Sequence, residues 1–465
     1  MRKGFTMAEM LIVVAIMIVI GVVAYLNLYG SQKEATLNSS AIQVGALLRQ
    51  AQSRSVSGDQ GLAWGVHFDN TNPAAPSVTL FAVSGTVGFS SSSLLAGTYQ
   101  LPFGICFTKP DFGSAADVIF SPISGQVSGQ SDLVTLKTCN GNGSIASWNQ
   151  QQSLPQPDSG STVVYGNYIY IVGGYGNGPY NSVYYAHINA DGTLGNWTPA
   201  ASLPATVYVQ GAAAYGGYLY SMGGYNSNTW HAYTSTVNFA EINNDGSLGS
   251  WTATLPLPTT VTNNAGVAAN GYVYSIGGVG AYSIPLNQIF YAKIKTDGTL
   301  GNWNTTSSPL TGYGSAVIAG SYLYIVGGYG GLGATSSVWF ARMNADGSIG
   351  AWTQTASLPS SAFDQALAAN QGYLYSMGGF NNWSITQEVD YAKINNDGTL
   401  GDWVVGKPLP RQNYIASGAS YNGYILFVGG RDQNFNYQST VYSAALVNFL
   451  SPSTLTITPQ GSISN

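Results

Sequence analysis

The segment YLYSMGGYNSNTWHAYTSTVNFAEINNDGSLGSW, residues 218–251, holds the pattern that decides the fold of this chain. A strand ends in Gly-Gly, a loop and a second strand follow, and a tight Asp-Gly turn leads to a strand at Trp. The tryptophan recurs at spacings of 49, 54, 52, 49 and 51 residues, as Trp148, Trp197, Trp251, Trp303, Trp352 and Trp403. The glycine pair recurs midway between them, beginning at Gly173, Gly223, Gly277, Gly327, Gly378 and Gly429. Six copies of both landmarks predict six repeats.

Each repeat contains four strand-like runs, and a single four-stranded sheet cannot bury both faces without neighbours. Units of about 50 residues with four strands therefore indicate the blades of a β-propeller. The region opens with a Trp strand, SIASW at 144–148, that lacks three strands before it, and the last unit, ending TVYSAALVN at 440–448, lacks its Trp strand. We expect the first strand to complete the last blade and so close the ring.

The motif set resembles kelch repeats, and this resemblance implies an all-β, six-bladed propeller over residues 141–450. The kelch arginine before the first strand occurs only as Arg411, and the turn before each Trp resembles the Asp-box of sialidase propellers without matching it. The recurring aspartates are interpreted as turn residues: Asp191, Asp245, Asp297, Asp346 and Asp397. Calcium binding is the alternative, but each unit supplies one carboxylate where calcium takes several oxygens. We predict no metal and no cofactor.

The N-terminus has a basic start followed by an apolar run. Arg2 and Lys3 precede Gly4, and residues 5–25 are long enough as a helix to cross a bilayer core of about 30 Å. Glu9 is the one acidic residue in this run, and a carboxylate in hydrocarbon requires a partner. The stretch RKGFTMAEMLIVVAIMIVIG, residues 2–21, resembles the leader of the type IV prepilin family.

The prepilin resemblance implies a processing site and an assembly contact. A prepilin peptidase would cut after Gly4 and methylate Phe5, and Glu9 would pair with the Phe5 amine of a neighbouring pilin subunit. The implied localisation is the inner membrane before assembly and then an extracellular pilus or pilus-like filament. A plain signal anchor with an incidental Glu9 is the alternative.

Between the anchor and the propeller, the periodicity changes to strands. We predict a leader at 1–4, a transmembrane and filament helix at 5–58, a small pilin-like β domain at 59–140, and a tail at 451–465 after the propeller. This layout resembles GspH/FimT-like minor pilins and pseudopilins. The predicted fold class is therefore an α+β pilin-like part, with a long N-terminal helix and a small antiparallel sheet, followed by the propeller. Cys106 and Cys139 form either one disulfide or two buried thiols.

Two sets of loops meet at one face of a propeller, and here both carry aromatic and polar residues. The candidate ligand-binding residues are Tyr208, Trp230, His231, Tyr313, Phe363, Trp383, Arg411, Tyr414, Arg431 and Asp432. Rings that stack on sugar faces, with amide groups for the hydroxyls, favour a glycan-binding surface, and exposed rings also suit protein recognition. The alternative is that these rings pack neighbouring loops together.

These observations predict a minor type IV pilin whose propeller binds an extracellular glycan or protein for adhesion. The alternative is a structural pilin or secretion pseudopilin whose propeller serves assembly or decoration. A carbohydrate-active enzyme is less favoured, and we assign no catalytic residue, because no pair of carboxylates stands out as acid and base. The net charge of −5 and only 14 scattered basic residues argue against nucleic acid as a partner.

Overall fold

The computed structural model describes most of the propeller and part of the segments on either side of it. The described residues are 35–70, 76–84, 88–89, 93–101, 105–110, 115–129, 134–138, 143–226, 232–310, 312–330, 333–381, 384–447, 454–458 and 463–464. Seven residues with predicted roles lie outside these ranges: Gly4, Phe5, Glu9, Cys139, Trp230, His231 and Trp383. Cys106 lies in a described strand, but its partner does not, so the disulfide stays a prediction.

Helix α1, 35–56, covers one face of a small β domain with a single apolar stripe. The stripe residues recur at helical spacing, are at most 2% exposed, and are Leu37, Ala41, Val44, Leu48 and Ala51. At the end of the helix, the Ser55 hydroxyl donates to the Phe120 carbonyl at 2.7 Å and accepts from the Trp64 N–H at 2.7 Å. A short 3₁₀ turn, Asp59–Gly61, then leads into the first strand.

Two antiparallel sheets complete the small domain. Seven strands precede the propeller: β1 Ala63–Asp69, β2 Ser77–Val83, β3 Leu94–Gln100, β4 Ile105–Lys109, β5 Ala115–Phe120, β6 Val127–Gly129 and β7 Val134–Thr138. The first sheet has the order β3-β2-β1-β5-β6. In the second sheet, β4 and β7 are joined by two strands that follow the propeller, Thr454–Ile457 and Ile463–Ser464. The predicted tail therefore returns to the small domain, and the propeller is inserted between neighbouring strands of one sheet.

The predicted α+β pilin-like part of the fold class is wrong. The described residues are nearly all β, with one helix, and this helix uses its apolar stripe to cover a sheet. Within the described ranges, no helix is long and apolar enough to cross a membrane, and residues 5–34 of the predicted span lie outside them. We therefore do not retain the type IV pilin-like class, its partners in filament assembly, or the inner-membrane and pilus localisation.

Six four-stranded sheets follow, and the last strand of the last sheet comes first in the sequence, as β8 Asn149–Gln150. Blade 1 contains β9 Ser161–Tyr165, β10 Tyr168–Tyr175, β11 Pro179–His187 and β12 Thr198–Pro199. Blade 2 contains β13 Gly211–Tyr215, β14 Tyr218–Met222, β17 Val237–Glu241 and β18 Thr252–Thr254, with a small hairpin β15 Tyr225–Asn226 and β16 Ala232–Tyr233. Blade 3 contains β19 Ala265–Ala269, β20 Tyr272–Ile276, β21 Gln288–Ile294 and β22 Leu300–Ser307.

The second half of the ring repeats this order, from inner to outer strand. Blade 4 contains β23 Tyr313–Ala319, β24 Tyr322–Gly330, β26 Val338–Arg342 and β27 Thr353–Thr355, with β25 Gly333–Ala334 beside β24. Blade 5 contains β28 Ala366–Asn370, β29 Tyr373–Met377, β32 Val389–Ile394 and β33 Leu400–Val405, with a small hairpin β30 Phe380–Asn381 and β31 Ser384–Ile385. Blade 6 contains β34 Ser417–Tyr421, β35 Tyr424–Val428, β36 Val441–Ala445 and β8. The tail strands of the small domain are β37 Thr454–Ile457 and β38 Ile463–Ser464.

Blade 6 is closed by strands from both ends of the propeller, as the strand count predicts. Asn149 and Gln150 of β8 pair with Ser443 and Tyr442 of β36. The inner strands of neighbouring blades contact one another around the whole ring, β9, β13, β19, β23, β28, β34 and again β9. Because the ring is closed, every blade packs against a neighbouring blade on both sides. Only the short outer strand of each blade remains as a sheet edge, which limits edge-to-edge association.

Two repeated side-chain hydrogen bonds join each blade to the next. The six tryptophan indoles each donate to a backbone carbonyl of the preceding blade, at 2.7–3.1 Å. Buried tyrosines donate to a glycine carbonyl of the following blade at 2.7–2.9 Å, namely Tyr170, Tyr220, Tyr274, Tyr324 and Tyr375. The acceptor glycine belongs to an Asp-Gly turn in the first four cases and is Gly143, which follows Asn142, in the fifth. Blade 6 has Leu426 at this position. The repeat landmarks are therefore residues that hold the ring together.

The small domain lies near the end of the ring where the inner strands finish. Burial, and secondarily the Asp69 carboxylate of β1, raise the pKa of Tyr165 to about 12. The same two causes raise the pKa of Tyr215. Since Tyr165 and Tyr215 are the last residues of β9 and β13, the beginnings of these strands point to the opposite end of the channel.

Candidate functional site

The predicted ring positions lie where the chain enters the inner strands, at the mouth of the channel. Tyr208, Phe363 and Tyr414 each form an isolated bridge to the residue that follows a Gly-Gly pair. Tyr313 pairs with Tyr329 at the corresponding point of blade 4, and its side chain is outside what the structure describes. The repeat thus places equivalent residues of several blades around one opening.

Ten rings around this mouth form what we call the aromatic belt: Tyr175, Tyr208, Tyr225, Tyr233, Tyr329, Phe363, Phe380, Tyr414, Phe435 and Tyr437. Rings that contact one another in the belt have centroids 5.0–6.0 Å apart, mostly in edge-to-face or tilted pairs. The belt runs from blade 4 through blades 5, 6 and 1 to blade 2. Tyr233 reaches blade 3, because its hydroxyl lies 2.9 Å from the Ser283 hydroxyl.

Arg431 joins the two arms of the belt at blade 6. Its guanidinium carbon lies 4.7 Å from the centroid of Tyr437, 5.4 Å from that of Phe435 and 5.7 Å from that of Tyr414. Its Nε donates to the Phe435 carbonyl at 3.0 Å. The cation–π contacts fix Arg431 against the rings, so this predicted residue belongs to the mouth.

An open groove of about 660 Å³ lies beside the belt, between blades 5 and 6. Its lining is polar and includes Asn381, Ser384, Thr386, Gln387, Glu388, Arg411, Gln412, Asp432, Gln433 and Asn434. Two predicted residues therefore meet in the groove, Arg411 and Asp432. The Arg411 guanidinium donates to the Gln438 amide oxygen at 2.5 Å and to the Thr440 hydroxyl at 2.6 Å.

Asp432 closes a loop of blade 6. Its Oδ1 accepts from the backbone N–H groups of Asn434 at 2.9 Å and Asn436 at 3.0 Å, and its Oδ2 accepts from the Gln438 amide at 2.8 Å. Arg411 and Asp432 therefore both bond to Gln438, which joins them across the wall of the groove. These two charged groups mainly position the loop around the groove.

Next to the mouth, the channel contains a cavity of about 220 Å³. The cavity is lined by the first residues of all six inner strands and by the residues that lead into them. Asp364 is the one charged residue among the described residues of this lining. Burial raises the pKa of the Asp364 carboxyl to about 6, and the Asp364 carbonyl accepts the Ile415 N–H at 3.0 Å.

The residues that enter the inner strands have an unusual backbone. Val209, Asn263, Asp364 and Ile415 occupy equivalent positions in four blades and have φ of 50–54°, in the left-handed region. This conformation is rare for non-glycine residues and costly for β-branched ones such as Val209 and Ile415. All four residues line the cavity, so this strained conformation is repeated around the channel mouth.

The aspartates of the Asp-Gly turns lie far from this mouth and have a structural role. In each turn, Oδ1 accepts from the backbone N–H at 3.0 Å and from the hydroxyl of the Ser or Thr two residues later. The hydrogen bond from this hydroxyl is the main reason why the pKa of Asp191 is lowered. The pKa values of the other four aspartates are lowered for the same reason. In the described part of the chain, no three His, Cys, Asp or Glu side chains cluster as a metal site.

Several residues of the mouth are missing from the sequence-based prediction. They include Phe380, Phe435 and Tyr437 of the belt, and Asp364 of the cavity. Phe380 was detectable because it follows a Gly-Gly pair, as Tyr175 and Tyr225 do. Asp364 was also detectable, because it directly follows Phe363, a residue at one of the predicted ring positions.

No family model matches the chain, and no curated protein matches it. Among solved structures, the chain is similar to one titled "Structure of YjhT", with 16% sequence identity and a TM-score of 0.49. The match covers 68% of this chain and 99% of that chain. The strand pairings of the chain itself define its class: it is a β-propeller-type protein.

Proposed function

We propose that the propeller is a binding module that takes a carbohydrate ligand at the channel mouth. The observation that carries this proposal is the aromatic belt, which surrounds the mouth and lies beside an open polar groove of about 660 Å³. Ligand sites combine apolar and aromatic walls with a few polar groups that fix orientation. The belt supplies the rings, and the groove supplies the polar groups.

The chemistry of the two surfaces favours a sugar over an apolar ligand. A pyranose presents C–H groups on its faces and hydroxyls at its edge, so it needs a ring to stack on and amide or hydroxyl partners beside that ring. The groove offers amide groups next to the belt, including Asn381, Gln387 and Gln412. A protein ligand that uses the exposed rings is the second possibility, and the experiment below separates the two.

We also propose that the module binds its ligand without catalysing a reaction. The groove also contains Glu388, which is a single carboxylate where glycoside hydrolysis uses a pair. The other two charged groups of the groove are engaged, Arg411 by Gln438 and Thr440, and Asp432 by backbone N–H groups. A general acid or base must be free to exchange a proton with the substrate. Both groups are instead committed to the loops that form the groove.

Binding of the full chain to a broad glycan array tests the proposal. The test variant is Tyr329→Ala with Phe435→Ala, because these belt rings are 43% and 54% exposed and their removal leaves the buried core intact. The control is Val405→Ala, a 72% exposed side chain at the outer edge of blade 5. We expect saturable binding that the double variant weakens at least tenfold and the control retains.

Two results would count against a carbohydrate site in different ways. Equal binding by the double variant and the wild type would exclude the belt as the site. Absence of binding to every glycan on the array would overturn the carbohydrate assignment and leave protein recognition as the function to test.

A further inference from the structure

The cavity next to the mouth is small compared with the groove and has a distinct chemistry. Its volume of about 220 Å³ is below the range of roughly 300–1,000 Å³ that holds drug-sized ligands. One terminal group of a larger ligand therefore fits better than the whole ligand. The lining determines which kind of group this is.

Hydroxyl groups of the lining are arranged as acceptors toward the channel. The hydroxyls of Ser161, Ser315 and Ser417 each donate to a backbone carbonyl of a neighbouring blade, at 2.5, 2.9 and 3.1 Å. A serine hydroxyl has one donor and two acceptor lone pairs. Because the donor is used between blades, these half-buried oxygens can act only as acceptors, and that of Ser417 uses one lone pair for the Thr162 N–H at 3.3 Å.

Two amides of the lining have enclosed acceptor oxygens without a donor. Gln210 and Gln365, each 3% exposed, donate to the carbonyls of Val172 and Val326 at 2.7 Å, which fixes the orientation of each amide. Their Oε1 atoms have no hydrogen-bond partner among the described residues. These two oxygens are enclosed by protein, so they make the surroundings of the cavity poor in donors but do not themselves contact a ligand.

Asp364 adds a negative charge to this set of acceptors. Among the described residues, no side chain or backbone N–H donates to its carboxylate, and burial is the single cause of its raised pKa. The basic residue of the aromatic belt, Arg431, donates to the Phe435 carbonyl and lies against Tyr414, Phe435 and Tyr437. Three other acidic residues near the mouth, Asp158, Glu388 and Asp432, lie outside the lining of the cavity, and Asp158 is buried.

A protonated amine is the group that matches this lining. An ammonium group has three donors, no acceptor and a positive charge, so it can satisfy hydroxyl oxygens and a carboxylate together. A neutral hydroxyl has one donor and leaves the carboxylate charge uncompensated. A carboxylate or phosphate would be repelled by Asp364.

We propose that the channel cavity receives the ammonium group of an amino sugar, with Asp364 as its counter-ion and the serine hydroxyls as further acceptors. This inference rests on the proposed carbohydrate function and specifies the class of sugar. The strained backbone of Asp364 and its equivalents is consistent with it, because such strain is concentrated where a ligand is held.

Isothermal titration of the full chain at pH 7 with three sugars tests the inference. D-Glucosamine carries the amine, N-acetyl-D-glucosamine carries a neutral amide at the same carbon, and D-glucose carries a hydroxyl. We expect the Kd of glucosamine to be at least fivefold lower than those of the other two sugars. In Asp364→Asn, we expect the three values to become equal.

Asp364→Asn keeps the shape of the side chain, and asparagine is favoured in the left-handed region, so the variant is expected to fold. Asp390→Asn is the matched control, since Asp390 is also a buried carboxyl, on β32 and outside the cavity lining. This control should keep the preference for glucosamine.

Equal affinities for the three sugars in the wild type, or a preference that Asp364→Asn retains, would overturn the inference. Failure of all three sugars, with binding of other glycans on the array, would also overturn it but leave the carbohydrate function standing. Failure on the array as well would overturn both.

Discussion

Tyr220 shows how one hydroxyl group joins two blades. It is fully buried in blade 2 and donates to the Gly298 carbonyl of blade 3 at 2.9 Å. In Tyr220→Phe, the ring would still fill its site while the buried carbonyl loses its donor, so we expect the free energy of unfolding to fall by about 1–2 kcal/mol. Urea unfolding measures this change.

The control for this substitution is Tyr282→Phe, because Tyr282 is 92% exposed. We expect no measurable change in the free energy of unfolding for that variant. Equal losses in both variants would show that the hydroxyl bond between blades contributes nothing specific.

Asp364 is expected to make the stability of the protein depend on pH. Its pKa is about 6 in the folded chain against a usual value of 3.8, so the folded state holds this proton more tightly than the unfolded state. Folding is therefore favoured below about pH 4, and this advantage is lost as the pH rises through 6. The difference corresponds to at most roughly 3 kcal/mol, which water in the channel reduces.

Asp364→Asn removes this titration and should be more stable than the wild type at pH 8 and equally stable at pH 4. Thermal unfolding at the two pH values measures the difference. Asp158 and Asp390 are shifted in the same direction and contribute to both proteins, so only the comparison isolates Asp364. A stability gain that is the same at both pH values would contradict the titration of Asp364.

The local sequence predicted the ring positions Tyr208, Phe363 and Tyr414, because they recur at a fixed distance after a proline. It could not predict the partners of Tyr220 or Asp364. The Gly298 carbonyl lies 78 residues along the chain from Tyr220. The surroundings of Asp364 in the cavity are formed by residues from six separate strands. Contacts that depend on ring closure have no local signal.

At the scale of elements, the strand Thr454–Ile457 has the clearest energetic role. Ile457 is fully buried in the core that contains Leu48, Trp64 and Leu136. Ile457→Ala should cost about 2–5 kcal/mol of local stability, because it leaves a cavity between the helix and the second sheet. Hydrogen exchange should then become faster in Val134–Thr138 and remain slow in Tyr322–Gly330.

A matched control is Ile284→Ala, because Ile284 is 58% exposed in a loop of blade 3. Its exchange profile should equal that of the wild type. Unchanged exchange of Val134–Thr138 in Ile457→Ala would show that the tail strand does not stabilise the small domain.

Element prediction succeeded where the pattern was repeated and failed where it was interpreted through a family. The strands before each Gly-Gly pair and the closure of the last blade by the start of the region follow from counting units, although the closing strand is at 149–150 and was predicted at 144–148. The helix that carries Leu37 to Ala51 lies within the predicted helix 5–58, but its buried face meets a β sheet and identifies no pilin. The pairing of residues 454–457 with 134–137 joins segments separated by the whole propeller, so no local pattern predicts it.

At the scale of the whole molecule, the propeller ring is one unit, inserted between two strands of the small domain. The ring is closed by its own ends, because Ile145 bridges to Leu446 and the Val447 N–H donates to the Ser144 carbonyl at 3.0 Å. We expect a fragment of residues 143–447 to fold alone, with a β-type circular dichroism spectrum and one cooperative unfolding transition. A fragment of 160–447, which lacks β8, should unfold at a lower temperature.

Equal unfolding temperatures for the two fragments would show that β8 does not close the ring. Failure of both fragments to fold would show that the ring depends on the small domain. The full chain provides the reference for both measurements.

The return of Thr454–Ile457 to Val134–Thr138 also has a consequence for synthesis on the ribosome. The second strand of this pair begins 316 residues after the first one ends. At about 5–20 residues per second, this interval lasts roughly 15–60 s. During this time the edge of Val134–Thr138 has no partner, while the ring between the two strands can already close. We therefore expect the order of folding to run against the order of the sequence, with the first domain to be synthesised becoming the last one to be completed.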